Sequence, residues 1–416
     1  MKRLARLLPF ACLAALAVAA PVRAEDPAAA DPAAVGKSLA ANLKNLYLAE
    51  GLQADQVTLF PIYVLGDEVP LEVTPMVTGS PFNATEPESK TTAIERLRVM
   101  NPGPKVALLS GGTVIDGGKR DRVVVRDVLI PPADAREVDV MAASMAADTR
   151  KTPVDFKVRE FLAPPYIREN LLVSTSKSIV PKFVSHFLEF LPESEKRHSL
   201  SAISESDNFA EYCLVCQSSM SAWPTKQGGG TVVGSLAVVR GRVQALEVYA
   251  TNQFVSDYFE PMLKSLTFPA AALELRAKSL GITLPKGDDA SLKMATDAAN
   301  KMLSELRSAV FTPRKPEADS VGISFDVKLK DGTVGDAIAL DGRLVHMALF
   351  PRDVFEHSLY GKPLEPLAKE DTGDEADEEK GVDLGTAERR EEGQTEGRNR
   401  ISDSEKRILE RVKPRR

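Results

Sequence analysis

Two cysteines three positions apart, Cys213 and Cys216, are the most reactive-looking pair in this chain. A C-x-x-C pair can be a redox couple, half of a zinc site or a local disulfide, and the backbone beneath it separates these. On a strand, residues three apart lie about 10 Å apart on opposite faces, too far for a disulfide. On a helix they share a face, where Phe209 and Tyr212 would complete an apolar stripe. A redox cysteine wants exposure at a helix N-terminus, whose dipole lowers its pKa. Here the flanking Tyr212, Leu214 and Val215 are bulky and apolar. Zinc needs four ligands, and there is no second cysteine pair to supply them. Buried core thiols or a plain local disulfide are the leading reading, with a thiol redox protein as an alternative.

A second group is cationic. Lys119, Arg120 and Arg122 surround one turn after Gly117-Gly118, and Gly111-Gly112 lies just upstream. A phosphate cradle needs a glycine loop that runs into a helix N-terminus, with free amides aimed at the anion. This loop runs into Val123-Val124-Val125, a strand, so a solvated hairpin tip is the plainer reading. Lys119 and Arg122 remain candidate contacts for a small anionic ligand. The four histidines, His186, His198, His346 and His357, are scattered, with no metal spacing. His346 sits in Leu344–Phe350, where alternation groups it with Leu344, Ala348 and Phe350; it is a candidate ligand contact, although a hydrogen-bonded core histidine is the ordinary outcome. No metal site, cofactor or catalytic residue is assigned, and no G-x-S-x-G elbow is present.

The elements that must position these groups follow from hydrophobic period. Leu39, Leu43 and Leu46 recur at helical spacing. Strands are expected at Val57–Phe60, Ile94–Met100 and Val106–Leu109, the last two read as a hairpin around Asn101-Pro102-Gly103-Pro104. The middle is more helical, with one stripe through Phe183, Val184, Phe187, Leu188 and Leu191. A hairpin follows at 232–249, with Arg240-Gly241 at its tip. Phe254, Val255, Tyr258, Phe259, Met262, Leu263 and Leu266 mark the strongest helix, over 252–266. A further helix carries Leu292 to Leu306, and late strands flank Asp341-Gly342. Helices and antiparallel strands mix without a βαβ alternation, which gives α+β: a β-sandwich-like antiparallel first half and a helix-and-hairpin second half.

Lys2, Arg3 and Arg6, the apolar run Leu7–Ala20 and the small residues before Glu25 have the three-part pattern of a secretory signal peptide, cleaved after Ala24. The expected location is periplasmic or secreted. The organisation then reads as signal peptide 1–24, flexible leader 25–35, one large domain 36–362 and a disordered charged tail 363–416. The composition, 43% apolar and 27% charged, suits a globular core. The tail holds an acidic block from Glu370 to Glu379 and a basic end, both of the solvated kind. No basic stripe with interleaved aromatics marks a nucleic-acid partner, and no later segment reaches bilayer-spanning length.

Three stretches carry a family resemblance. They are Val99–Val123, with its Asn101 turn, Leu108-Leu109-Ser110-Gly111-Gly112 and Gly118-Lys119-Arg120-Asp121-Arg122-Val123; then Val233–Val239 with the helix after it; and Leu344–Phe350. Together they resemble the domain associated with ADP-ribosylglycohydrolases and rhodanese-phosphatases, over about residues 55–352. The resemblance implies a link to NAD and ADP-ribose metabolism through neighbouring domains, which is association and not mechanism. Where the family tends to carry a Cys-Val-Glu run followed by Gly-Arg-Trp, this chain reads Val138-Asp139-Val140-Met141-Ala142-Ala143-Ser144-Met145. The leading expectation is a binding or interaction domain in the bacterial envelope, with a small anionic ligand or an envelope protein as partner. The alternatives are an enzyme acting on a nucleotide- or ADP-ribose-derived substrate and the redox protein above.

Overall fold

The computed structural model describes residues 31–352, apart from 67–69, 87–94, 144–153, 175–178, 189–198, 221–222, 224–225, 228, 280–283, 285 and 316–320. The signal peptide, most of the leader and the charged tail read from the sequence lie outside the described residues, as do His198 and His357. Helix α1 (Pro32–Asn42) opens the fold. The Asp31 side chain accepts from the Ala33 amide, and Pro32 occupies the first turn. The helix therefore begins inside the stretch read as leader, and it ends before Leu46, which starts a strand.

In the first half come β1 (Leu46–Leu48), β2 (Leu52–Ala54), β3 (Val57–Leu65), β4 (Val73–Pro75), β5 (Asn83–Thr85) and β6 (Glu95–Met100). They are followed by β7 (Val106–Leu109), β8 (Thr113–Gly118), β9 (Arg122–Val124), β10 (Val128–Ile130), β11 (Ala135–Ala142) and β12 (Val154–Leu162). A three-stranded sheet in the order β10-β7-β4 and a six-stranded sheet in the order β12-β8-β9-β11-β6-β5 make the sandwich-like part. Met76, Leu97, Val99, Leu109, Ile115, Val124, Ile130, Val138 and Val140 form the core between them.

One expectation is corrected here. β6 and β7 are not a hairpin, because β6 pairs with β11 and β5 while β7 pairs with β10 and, in parallel, with β4. Asn101 explains the divergence. Its side-chain amide donates to the carbonyls of Lys105, Ile130 and Pro131, and its oxygen accepts from the Gly103 amide. A buried side chain that answers this many backbone groups fixes a corner and steers the chain into the second sheet.

The second half contains α2 (Pro165–Val173), α3 (Ile179–Leu188), α4 (Leu200–Ser204), α5 (Asp207–Ser219), β13 (Lys226–Gln227), β14 (Gly230–Val239) and β15 (Arg242–Tyr249). Then come α6 (Asn252–Ser279), α7 (Asp289–Glu305), β16 (Val310–Pro313), β17 (Ile323–Lys328), β18 (Val334–Leu340) and β19 (Arg343–Phe350). The large sheet runs β1-β3-β14-β15-β19-β18-β17-β16, with β2 also on β3 and β13 also on β14. Its two tightest hairpins turn on Arg240-Gly241 and Asp341-Gly342, both pairs with positive φ. That backbone matches the twist of the flanking strands, and glycine adopts it freely.

One face of the large sheet packs on α1 and α7 through Val35, Leu39, Phe60, Leu236, Ala299, Met302 and Phe325. The other packs on α6 and on the small sheet through Leu59, Leu108, Leu129, Tyr258, Leu263 and Val345. Helix α6 runs well past the expected end at 266, continuing through Pro269. Its later turns bury Phe268, Ala271 and Leu275 in a separate core against Phe161, Ile167, Phe183 and Phe209. That burial offsets the amide a mid-helix proline lacks. The mixed antiparallel architecture is the α+β class read from the sequence.

Candidate functional site

Strand register brings charged residues into a row on one face of the large sheet. Glu247 on β15 lies opposite Ala348 on β19, Ala348 opposite Asp336 on β18, and Asp336 opposite Asp326 on β17. His346 is two residues from Ala348 on the same strand and so points to the same face. Like charges directly opposite each other repel, so the row requires cations. Those cations come from other layers: Arg126 from the link between β9 and β10, Arg168 from α2, and Arg314 from just after β16.

The bonding is continuous. His346 Nδ1 lies 2.7 Å from Asp127 Oδ2, and His346 Nε2 lies 3.4 Å from Glu247 Oε2. The Tyr249 hydroxyl donates to Glu247 Oε2 at 2.6 Å, and Arg168 donates to Glu247 Oε1. The Asp127 amide donates to Asp336 Oδ2 at 2.8 Å, and the Gly111 amide donates to Asp127 Oδ1 at 2.8 Å. Arg314 and Arg126 reach Asp336 Oδ1 at 2.9 and 3.5 Å, and Arg126 also bonds Asp326 at 2.6 Å. Tyr249 stacks on the imidazole with ring centroids 4.6 Å apart, and the Arg168 guanidinium lies over Phe350.

These groups are sealed: His346 is 0% exposed, Glu247 1%, and Asp127, Arg168 and Asp336 4% each. Burial by itself would strip the proton from His346, but Asp127 and Glu247 outweigh it and raise the pKa to about 9. The imidazole is therefore a cation at neutral pH. Burial also works against Glu247 ionising, yet Arg168 and His346 hold its carboxyl far below the usual range. Asp336 goes the other way. Burial, with Asp127 adding to it against Arg314 and Arg126, pushes its carboxyl up to about 6.

The two upstream glycines serve this network. A Cβ at Gly112, which has φ +89°, would sit 2.5 Å from Arg168 Cδ, and one at Gly111 would meet the Arg126 backbone at 3.1 Å. The loop that resembled a phosphate cradle thus leaves space for Arg168 and the Arg126-Asp127 link.

Beside the network is a cleft of about 330 Å³. It lies between β11, the Arg126–Leu129 stretch, β17, β18 and the start of α1, with Arg126, Asp127, Arg136, Arg314 and Lys315 in its lining. The Nε–H groups of Arg136 and Arg314 are buried and have no hydrogen-bond acceptor among the described residues. Asp127 and Arg314 belong to both cleft and network, so the cleft opens onto the end of the charged chain.

The candidates from the sequence fall in three places. His346 is at the centre of the network. Arg122 is buried at the other end of β11, where it bonds Glu86 and Glu95 at 2.9 Å each and faces the Phe156 ring, while Arg120 also bonds Glu95. Burial would raise the Glu86 carboxyl, but Arg122 beside it brings the pKa below the usual value. Of that trio only Lys119 is exposed. Cys213 and Cys216 are buried free thiols on α5, sharing its inner face with Phe209 as the helical reading expected. Burial pushes Cys213 up to about 11 and Cys216 up to about 12. Cys213 Sγ lies 2.9 Å from Thr267 Oγ1, and neither cysteine is near the helix N-terminus at Asp207.

A family profile described as ARPP-1, the ARG and Rhodanese-Phosphatase-superfamily-associated Protein domain, matches residues 45–350. The chain belongs to the ARPP-1 family. No curated protein and no solved structure matches it. The ARPP-1 span runs from the residue before β1 to the end of β19, and so contains every member of the network and all of the cleft lining except Pro32.

Within the ARPP-1 span, sequence reasoning overlooked Arg126, Asp127, Arg168, Glu247, Arg314 and Asp336. Two of them had a visible signal: Glu247 and Asp336 are single acids inside apolar strands, at Ala245–Tyr249 and Val334–Leu340. An inward acid there needs a buried cation. Arg126, Arg168 and Arg314 stand in a loop, a helix and a strand end without such contrast. Among the described residues, no group of three or more His, Cys, Asp or Glu is arranged to hold a metal ion, and no helix is long and apolar enough to cross a membrane.

Proposed function

We propose that this ARPP-1 chain is an exported binding domain that holds a small anionic ligand in the cleft beside Arg136, Arg314 and Lys315. The observation that carries the reading is the pair of buried Nε–H donors on Arg136 and Arg314, which have no protein acceptor among the described residues. A buried donor without an acceptor costs about 1–3 kcal/mol, and an oxyanion in the cleft would relieve that. Lys315 is exposed at the rim and adds attraction on approach. Export rests on the three-part pattern before Glu25.

An enzyme needs its titratable groups within reach of a substrate. Of the groups that converge, His346 and Glu247 are closed off from solvent and only Asp127 borders the cleft, which favours binding over catalysis. The raised pKa values of Cys213 and Cys216 weigh against thiol redox chemistry. The family description names the proteins with which the domain is associated and no activity of its own.

Calorimetry with sulfate, inorganic phosphate and ADP-ribose as probes tests the cleft. At least one probe is expected to bind, with Arg136→Ala and Lys315→Ala each weakening it about tenfold or more at unchanged melting temperature, a loss of roughly 1.4 kcal/mol of binding. Absence of heat with all three probes, or binding that ignores both substitutions, would rule out this site. N-terminal sequencing of periplasmic material should begin at Glu25, and recovery of intact Met1 in the cytoplasm would contradict export.

A further inference from the structure

The three arginines of the cleft, Arg126, Arg136 and Arg314, are already engaged by carboxylates. Asp336 Oδ1 accepts from Arg314 and lies near Arg126, Asp326 takes a second bond from Arg126, and Asp134 pairs with Arg136 at 2.9 Å. Of the acids in the lining, Asp127 bonds His346, while Glu137 and Asp139 both bond Arg96. An anion entering the cleft therefore meets arginines whose charges are matched, and must compete with a group already there. At Arg314 that competitor is Asp336. One edge of the Arg314 guanidinium holds Asp336, and its Nε–H is the donor left without an acceptor.

We infer that Asp336 is the internal counter-anion of the cleft: an oxyanion that binds Arg314 takes over part of the cationic charge holding Asp336, and the carboxylate takes up one proton. The inference rests on the anion-binding reading above and gives its regulation. The proton comes from solvent and goes to the carboxylate, whose Oδ2 lone pairs can still accept from the Asp127 amide. The product is a neutral carboxylic acid, so one bound negative charge is exchanged for one neutralised inside the protein.

Charged groups among the described residues reach Asp336 from three elements. Arg126 and Asp127 approach from the β9–β10 link, Arg314 from the end of β16, and Asp326 from β17; on β19 the opposing residue is uncharged Ala348, with His346 one step along the same face. His346 loses its proton only around pH 9, above the range in question. The Asp336 carboxyl, already raised to about 6 by burial, rises further when a second anion shares its guanidinium. Binding should then be strongest below that value and fade as pH rises through it.

Sulfate is the suitable probe, since its double charge does not change between pH 5 and pH 8. For wild type, sulfate affinity at pH 5 should exceed that at pH 8 by about tenfold for each unit the carboxyl rises on binding. At pH 7, calorimetry in two buffers of different ionisation enthalpy should register uptake of up to one proton. Asp336→Asn keeps an acceptor oxygen for the Asp127 amide and removes the charge. It should bind sulfate at pH 8 at least as tightly as wild type does at pH 5, with no pH dependence left. Sulfate that binds wild type equally at both pH values without proton uptake overturns the inference and leaves the cleft reading standing, as does a pH dependence that survives in Asp336→Asn. Failure of sulfate to bind wild type at either pH removes the sulfate site itself and this inference with it. Should Asp336→Asn not fold, the wild-type proton uptake decides alone.

Discussion

Asp127 and His346 share a 2.7 Å hydrogen bond although they come from opposite halves of the chain, and neither side chain reaches solvent. The pair ties the β9–β10 link of the first half to β19 of the second. With Glu247 on its other ring nitrogen, the imidazole is a buried cation held between two carboxylates. Such a group links folding to pH in a definite direction.

The folded pKa of His346, about 9, lies above the ordinary 6.5. The folded state therefore binds this proton more tightly than the unfolded chain. The resulting stability is fully present below pH 6.5 and is lost as pH rises through about 9. Chemical denaturation across that window should show a loss of roughly 2–4 kcal/mol for wild type. His346→Gln should start less stable and lose much less over the same range. A wild-type stability that stays flat from pH 6.5 to 9 would contradict an imidazolium at this position.

Glu247 accepts from Tyr249, Arg168 and His346, so its removal leaves two cations buried without their shared anion. Breaking a buried ion pair from one side costs about 3–5 kcal/mol. Glu247→Gln is expected to fall in that range by urea unfolding, with Tyr249→Phe costing about 0.5–1.5 kcal/mol for one lost hydrogen bond. Equal effects from the two variants would mean that the carboxylate's charge is unimportant to the fold.

Within the α6 stripe, burial differs by position. Leu263 is fully buried, whereas Phe259 is partly buried at the stripe's edge, its ring 5.0 Å from that of Trp223. Leu263→Ala should cost about 2–5 kcal/mol, cavity included, and Phe259→Ala should come at or below the low end of the usual 3–5 for a buried Phe. A thermal melt in which Phe259→Ala is the more damaging of the two would place the helix face wrongly.

The thiols provide a kinetic readout. With pKa values pushed up to about 11 and 12 by burial, Cys213 and Cys216 carry almost no thiolate at pH 8. A thiol reagent at pH 8 should modify the native protein only as fast as it opens, and the urea-unfolded protein far faster. Rapid modification of two thiols in the native state would restore the redox alternative.

The α+β class, the Arg240-Gly241 and Asp341-Gly342 turns and the α6 stripe were legible because each depends on neighbours in sequence. The β6–β7 pairing was misread because the turn chemistry around Asn101 is local, while the bonds that use Asn101 reach to Ile130 and Pro131. The site was less legible still. His346 could be placed on an inward face by alternation, but its partners Asp127 and Glu247 lie far away in the chain. The cations of the Lys119 turn drew attention as a cluster in sequence, yet Arg122 spends its charge on Glu86 and Glu95. Arg136 and Arg314, unremarkable in sequence, come together only in the fold, where both line one cleft.

The position of β3 has a consequence for how the protein comes into being. β3 is one of the inner strands of the large sheet, and its long partner is β14, with Val57 opposite Val239 and Leu65 opposite Gly230. During synthesis, β3 emerges long before that partner exists, and β19, which joins β15 to β18, comes last of the sheet's strands. Pairings this distant in sequence form slowly, because a large loop must close before any contact stabilises it. The nascent chain therefore cannot complete its large sheet until β19 has been made, so an incomplete sheet with unpaired strand edges is the state that precedes the finished fold.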